Sequence, residues 1–197
     1  MKYPDNIKDL ALLPIDFMGM IFYNKSPRFI GESDMMEIIP ANIQRVGVFV
    51  NADIHYIVQM TGKYNLDIIQ LHGNESPDFC KELNKSIPVI KAFSIADSSD
   101  FEQTKQYKDI VNYFLFDTKT PQYGGSGQKF DWNILNEYKG NTPFFLSGGI
   151  SIDDIHKIKE IKHPQLYGLD LNSRFETKPG LKDIQLLKQF IKHIKDE

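Results

Sequence analysis

Residues 66–95 of the chain read LDIIQLHGNESPDFCKELNKSIPVIKAFSI. The segment opens with an apolar run that ends at His72 and Gly73, and it closes with a second apolar run, PVIKAFSI. Between them, Ser76 followed by Pro77 is typical of a helix start, because serine caps free N–H groups and proline fits the first helical position. Strands that are apolar almost throughout are expected in parallel sheets covered on both faces. The segment therefore predicts one strand–helix–strand unit.

The same alternation extends over the rest of the chain. Runs rich in β-branched and aromatic residues occur seven times, at residues 17–23, 45–50, 66–73, 88–95, 113–118, 143–149 and 166–171. They lie roughly 20 to 30 residues apart, as in compact βα units. Further helix starts are indicated at Asn51 and at Ser151, which has Asp154 three residues on.

Seven strands and eight helices, of which the first helix covers residues 4–13, predict an α/β fold. We expect a (β/α)8 TIM barrel that lacks its first β-strand within residues 1–197, because a closed barrel begins with a strand. The alternative is an open flavodoxin-like or Rossmann-like sheet, but no Gly-x-Gly-x-x-Gly follows the first strand. We expect one domain over residues 1–197, with two sheet edges exposed by the missing strand.

Composition excludes several classes of partner. The net charge of −3 offers no basic field for nucleic acid or an anionic membrane. No run approaches the roughly 18 apolar residues that span a bilayer, so we expect a cytoplasmic protein. The single cysteine, Cys80, excludes an internal disulfide, and its helical surroundings predict a half-buried thiol.

Polar residues and glycines collect where the predicted strands end, which is where βα barrels carry their functional groups. Ser147, Gly148 and Gly149 follow one strand, and Asn172 and Ser173 follow the next. Backbone N–H groups that glycine leaves uncovered bind a phosphate well, so these two loops predict a phosphate site. The alternative for the two glycines is a plain turn.

Asp117 ends another apolar strand, where a partly desolvated carboxylate can act as a general acid. The residues that follow include a flexible stretch that can close over a ligand. This stretch consists of Gly124, Gly125, Ser126 and Gly127. The alternative is an aspartate that caps a turn before a disordered loop.

Six segments together resemble the phosphoribosylanthranilate isomerase family. They are FYNKSPR (22–28), RVGVFVN (45–51), IIQLHGNE (68–75), IKAF (90–93), DTKTPQYGGSGQKFDW (117–132) and LSGGI (146–150). The resemblance implies an isomerase of tryptophan biosynthesis that performs an Amadori rearrangement of a small phosphorylated substrate, with no metal and no cofactor. It also implies a monomer or a homodimer.

The resemblance further implies roles for individual residues. Asp117 is the general acid, Arg28 pairs with the anthranilate carboxylate, and the glycine stretch from Gly124 closes over the site. The phosphate is held by Gly148, Gly149, Asn172 and Ser173. His72 and Asp170 also match family positions, and for both the alternative is a hydrogen-bonded structural side chain.

The family's general base is a cysteine at the end of the first strand, which residues 1–197 lack. Cys80 does not replace it, because it lies in a helix on the outside of the barrel. We therefore expect impaired turnover by this chain. Two alternatives stay open: another phosphosugar barrel enzyme, such as an epimerase or a tryptophan synthase α-like lyase, and a non-catalytic phosphate-binding barrel.

Overall fold

A computed structural model describes residues 1–31, 38–118 and 131–195. Seven strands form one parallel sheet in chain order. They are β1 (Phe17–Ile21), β2 (Gln44–Phe49), β3 (Ile68–Leu71), β4 (Val89–Ile95), β5 (Tyr113–Thr118), β6 (Phe144–Leu146) and β7 (Leu166–Leu169). All seven predicted strands are confirmed, and each pairs in parallel with the next.

The helices differ from the eight that were predicted: the described residues form five α-helices and four short 3-10 helices. The α-helices of the described residues are α1 (Pro4–Ala11), α2 (Ile54–Tyr64), α3 (Pro77–Leu83), α4 (Ile155–Glu160) and α5 (Ile184–Lys195). Short 3-10 helices occupy Ser98–Tyr107, Trp132–Glu137, Ile152–Asp154 and Ser173–Phe175. None of the helices in this part of the chain is long and apolar enough to cross a membrane.

Two local features were predicted wrongly or missed. Asn51 does not start α2; the cap is Asp53, which accepts a hydrogen bond from the His55 N–H at 2.8 Å. Asn51 instead adopts a left-handed φ of 49°. After the last strand of the sheet, an unpredicted antiparallel hairpin is formed by β8 (Glu176–Lys178) and β9 (Leu181–Lys182).

Alternation along the strands divides the apolar residues into two layers. One layer packs between the sheet and the helices and includes Phe49, Leu71 and Phe116. A smaller cluster lies on the opposite, concave side of the sheet. It consists of Val46, Ile68, Ile90, Ala92, Leu115 and Phe145. The concave face is therefore apolar at the amino ends of the strands, and its polar side chains follow at the carboxyl ends.

The two ends of the sheet approach each other across the concave side. Phe17 of β1 lies edge-on to Phe145 at 5.3 Å between ring centroids and to Tyr167 of β7 at 6.3 Å. The Met1 ammonium donates to the Gly19 carbonyl of β1 at 2.6 Å, and burial lowers the pKa of this amine to about 5. The sheet is thus curled as in a βα barrel, with β1 and β7 as its edges among the described residues.

Candidate active site

The centre of the mouth is a contact between β3 and β5. His72 follows β3 and Asp117 lies in β5, and His72 Nε2 is 3.4 Å from Asp117 Oδ2. Both side chains are mostly buried, with exposed fractions of 18% and 17%. The other oxygen, Oδ1, accepts a hydrogen bond from the Thr118 N–H at 2.8 Å. The structure thus brings two of the predicted site residues together and fixes one Asp117 oxygen against the backbone.

His72 has a second partner that the sequence reasoning missed. The Gln70 side-chain nitrogen lies 2.9 Å from His72 Nδ1. Gln70 is 8% exposed, and it stands two residues before His72 on the same face of β3. The sequence feature that could have predicted this contact is a glutamine two residues before a histidine in an otherwise apolar strand.

The segment after His72 is held from behind by a buried ion pair. Lys91 Nζ donates to the Gly73 carbonyl at 2.7 Å and to Glu75 Oε2 at 3.1 Å. Glu75 in turn accepts hydrogen bonds from the N–H groups of Gly73 and Asn51. Both charged side chains are 3% exposed, so this pair immobilises the loop that carries His72. A lysine in the middle of the apolar run PVIKAFSI was a sign of this pair.

Ser147 and Asp170 meet at the carboxyl ends of β6 and β7. Ser147 Oγ donates to Asp170 Oδ2 at 2.8 Å. Burial raises the pKa of Asp170, and the Ser147 hydrogen bond and the Lys182 charge partly offset this effect. Because β6 and β7 follow β5 in the sheet, Ser147 and Asp170 lie in the same mouth as Asp117.

The loop after β6 has the backbone that a glycine pair permits. Gly148 and Gly149 have φ values of 92° and 69°, in the region that other residues rarely adopt. A Cβ at Gly148 would lie 2.2 Å from Thr118 Oγ1, so the loop can approach β5 only without a side chain there. Neighbouring amides are engaged, because Ser147 N–H donates to the Phe116 carbonyl and Ser151 N–H to Asp154. Among the described residues, no hydrogen-bond acceptor is seen for the N–H groups of residues 148–150.

The loop after β7 is clamped by Lys182 of β9. Lys182 Nζ donates to the Leu171 carbonyl at 2.9 Å, and to the Asn172 carbonyl and Oδ1, each at 3.2 Å. Burial lowers the pKa of Lys182, and the charges of Glu176 and Asp170 oppose this effect. Because the Asn172 amide oxygen is taken by the lysine, its NH2 group is the part left to donate. Ser173 begins the 3-10 helix that follows.

Arg28 is already paired inside the protein. Its Nε and Nη2 atoms lie 2.8 Å and 2.7 Å from the same oxygen of Glu176, a residue of β8 that the sequence reasoning missed. Burial favours a raised pKa for Glu176, but the hydrogen bond from Arg28 and the charge of Lys182 outweigh it and hold the pKa below its usual range. The resemblance implies that Arg28 pairs with a carboxylate of the substrate. Such a pairing has to form beside the Glu176 carboxylate that Arg28 already contacts.

Cys80 lies in α3, in the layer between helices and sheet. It is 0% exposed, so the prediction of a half-buried thiol is wrong, and burial raises the pKa of the thiol to about 11. Four predicted residues, Gly124, Gly125, Ser126 and Gly127, lie outside the described residues. Within residues 1–31, 38–118 and 131–195, no cluster of three or more His, Cys, Asp or Glu side chains is placed to hold a metal.

The fold and the mouth define a class: a parallel βα-barrel protein with a carboxyl side chain and a glycine loop at the carboxyl ends of its strands. The model of the N-(5'-phosphoribosyl)anthranilate isomerase family matches residues 2–193. The chain belongs to this family. A similar curated relative is the N-(5'-phosphoribosyl)anthranilate isomerase of Parabacteroides distasonis, 48% identical over 202 residues, which cover 98% of this chain and 90% of the relative.

Solved structures agree with this assignment. The phosphoribosylanthranilate isomerase of Thermotoga maritima superimposes with a TM-score of 0.87 at 32% identity, over 99% of this chain and 95% of that one. A phosphoribosylanthranilate isomerase solved with reduced 1-(o-carboxyphenylamino)-1-deoxyribulose 5-phosphate superimposes with a TM-score of 0.83 at 28% identity, over the same fractions of the two chains. The predicted family and barrel fold are confirmed.

Proposed function

We propose that the chain isomerises N-(5'-phosphoribosyl)anthranilate to 1-(2-carboxyphenylamino)-1-deoxyribulose 5-phosphate, on the route from chorismate to tryptophan. The observation that carries the proposal is the position of Asp117. Its carboxyl group faces His72 in the mouth, and its neighbour Thr118 contacts the Gly148 loop. Family membership and the similar structure with a bound phosphorylated ligand support the same substrate class.

The reaction moves protons and breaks one ring bond. Asp117 donates a proton to the ribose ring oxygen, the C1–O bond breaks, and the nitrogen lone pair forms a C=N bond to C1. A water molecule then accepts the C2 proton, the electron pair of the C2–H bond forms a C1=C2 bond, and the resulting enolamine tautomerises to the aminoketone. After the first step, the Asp117 carboxylate is stabilised by the Thr118 N–H at 2.8 Å. Electrostatic stabilisation of a charge that forms during the reaction is a major source of rate enhancement.

The phosphate end of the substrate is assigned to the loops after β6 and β7. The N–H groups of residues 148–150 and the NH2 group of Asn172 are donors at this end of the mouth, and Ser173 adds a hydroxyl. The resemblance gives the glycine stretch from Gly124 the role of closing over the ligand. The anthranilate carboxylate is assigned to Arg28, beside Glu176.

The group that removes the C2 proton is not Cys80. Its thiol is 0% exposed, lies in the helix layer, and has a pKa raised to about 11. A thiolate is the basic form of cysteine, and it is scarcely populated at neutral pH when burial raises the pKa in this way.

A direct assay tests the proposed function. The fluorescence of the anthranilate group follows consumption of the substrate by the purified chain and by its Asp117→Asn variant. Asp78→Asn is the matched control, because Asp78 is an exposed residue of α3. We expect lowered but measurable activity in the chain and the control, because the family's general-base cysteine is missing from residues 1–197, and loss of that activity in the variant. Equal activity in all three proteins would contradict the role of Asp117. If the chain converted a ribulose phosphate and not the anthranilate substrate, it would be another phosphosugar enzyme.

We further propose one domain, a monomeric or homodimeric state and a cytoplasmic location. One of the structures similar to this chain is of monomers generated from a dimeric phosphoribosylanthranilate isomerase of Thermotoga maritima. Light scattering on the purified chain measures its mass directly. A mass above that of a dimer would contradict the proposal.

A further inference from the structure

A line of three side chains runs along the concave face of β3. Ile68, Gln70 and His72 alternate with residues that face the helices, so they point to the same side. Ile68 belongs to the apolar cluster of the concave face, and His72 is at the mouth. Gln70 stands between them and is 8% exposed. A primary amide at such a position is costly to bury unless it is hydrogen-bonded.

The contact between Gln70 and His72 fixes which ring nitrogen carries the proton. The Gln70 amide nitrogen, 2.9 Å from Nδ1, can only donate a hydrogen bond, so Nδ1 must accept. In a neutral imidazole the proton is then on Nε2. That nitrogen faces Asp117 Oδ2 at 3.4 Å. The ring is further located by the His72 backbone N–H, which donates to the Phe49 carbonyl at 2.8 Å.

We infer that Gln70 is a positioning residue that holds His72 in the Nε2–H tautomer and so keeps the proton of Asp117 available for the substrate. The inference rests on the proposed function. An Nε2 lone pair would face the acid directly, and imidazole is intrinsically more basic than a carboxylate, so it would take the proton. An Nε2–H group cannot do so. It points instead at the carboxylate that remains after Asp117 has donated its proton.

The separation of 3.4 Å is long for a hydrogen bond in the free enzyme. Catalytic hydrogen bonds are often long without ligand and shorten in the complex. Asp117 Oδ1 is already bonded to the Thr118 N–H, so Oδ2 is the oxygen whose environment the tautomer decides.

Nitrogen-15 NMR of histidine-labelled protein reads the tautomer without reference to activity. Couplings between ring nitrogens and carbon-bound protons distinguish a protonated from an unprotonated nitrogen, and the His72→Asn variant assigns the His72 signals. We expect protonated Nε2 and unprotonated Nδ1 in the wild-type chain. A wild-type spectrum with protonated Nδ1 and unprotonated Nε2 would overturn the inference, because the glutamine amide would then be turned the other way.

Two substitutions at Gln70 connect the tautomer to the rate. Gln70→Glu places an acceptor at Nδ1 and draws the proton there, so we expect kcat to fall about 10- to 100-fold while KM stays within about twofold. Gln70→Met keeps the length of the side chain but removes the bond, and we expect a smaller loss. Gln59→Glu, at an exposed position of α2, adds the same charge elsewhere and should change neither the spectrum nor the rate.

The His72→Asn background separates positioning from a purely structural effect. Without an imidazole to orient, Gln70→Glu should change kcat by less than about twofold, because coupled residues lose their effect together. The inference fails if Gln70→Glu moves the ring proton and kcat is unchanged, or if its effect persists in that background. A wild-type chain that lacks isomerase activity would refute the proposed function and the catalytic part of the inference, and the ring spectrum would still decide the tautomer.

Discussion

The two sides of the barrel mouth differ in how their polar groups are neutralised. On the β3–β5 side, Gln70, His72 and Asp117 form a short chain with a histidine at its centre. On the β7–β8 side, Glu176 lies between two cations, with Arg28 at 2.7 Å and Lys182 at 3.4 Å. The first arrangement surrounds a carboxyl group that can donate a proton to a ligand, and the second consists of fixed charges.

The two sides should therefore affect different measurements. Breaking a buried ion pair leaves an uncompensated charge and costs stability. Altering a chain of hydrogen bonds around an acid changes the chemical step instead. We therefore expect variants of the charged side to lower the free energy of unfolding or ligand affinity, and variants of the β3–β5 side to lower kcat.

The largest effect on stability is expected from Glu176→Gln. The carboxylate is 4% exposed and pairs with both cations, so its loss should lower the free energy of unfolding by about 3 to 5 kcal/mol. Urea unfolding at pH 7 measures this change. Glu137→Gln, at an exposed position, is the control, and a loss below about 1 kcal/mol at Glu176 would contradict the account.

The same pair predicts a pH dependence. Because the folded protein holds the pKa of Glu176 below its usual range, its stabilising contribution is complete above the ordinary glutamate pKa of about 4.3 and is lost as pH falls through the lower folded value. Urea unfolding between pH 7 and pH 3 should show a weaker acid destabilisation in Glu176→Gln than in the wild type. Parallel curves would rule out this contribution.

Gly148→Ala should raise KM by at least about tenfold, because it weakens binding of the substrate phosphate. The substitution adds a Cβ 2.2 Å from Thr118 Oγ1 at a φ of 92°, and such strain costs of order 1–3 kcal/mol. Inorganic phosphate as a competitive inhibitor reports the same loss without the rest of the substrate. Gly62→Ala is the control, because a Cβ added at Gly62 would have no atom within 4 Å.

Lys182→Met should raise KM by about five- to tenfold, the worth of roughly one net hydrogen bond. The lysine holds the Leu171 and Asn172 carbonyls, and without it the Asn172 amide is free to turn. Lys178→Met, on the exposed neighbouring strand, is the control for lost charge. A change confined to kcat would show that Lys182 acts on the chemical step, as the residues of the β3–β5 side do, and not on phosphate binding.

The smallest effect on kcat is expected from Cys80→Ser. The thiol lies among the helix-layer residues, away from the concave face, and should leave kcat within about twofold. Activity measured before and after thiol alkylation of the wild-type chain gives the same answer by a second route. A large loss of kcat with unchanged stability would return Cys80 to the mechanism.

The strands were predictable because their signal is local. Each is a short apolar run, and buried parallel strands need such runs. The position of Asp117 near the carboxyl end of β5 was predictable for the same reason, since Asp117 ends an apolar run. The helix start at Asn51 was misjudged, because the chain turns through a left-handed residue before Asp53 caps the helix.

The missed residues owe their roles to partners distant in sequence. Arg28 and Glu176 are 148 residues apart, and Asn6, which holds the backbone of Lys182, is 176 residues from it. No periodicity within one chain segment reports such pairs. Gln70 is the exception, because its interval of two residues from His72 on one strand was visible in the sequence.

The role of Asp117 as general acid is tested by comparing the chain with its Asp117→Asn variant in two measurements. One is turnover of N-(5'-phosphoribosyl)anthranilate. The other is the dissociation constant of the product analogue, reduced 1-(o-carboxyphenylamino)-1-deoxyribulose 5-phosphate. We expect the variant to lose about 10²–10⁴-fold in kcat and to bind the analogue within about threefold of the wild type, because a general acid serves the chemical step. Undiminished turnover by the variant, or failure of the wild-type chain to bind the analogue, would contradict this expectation.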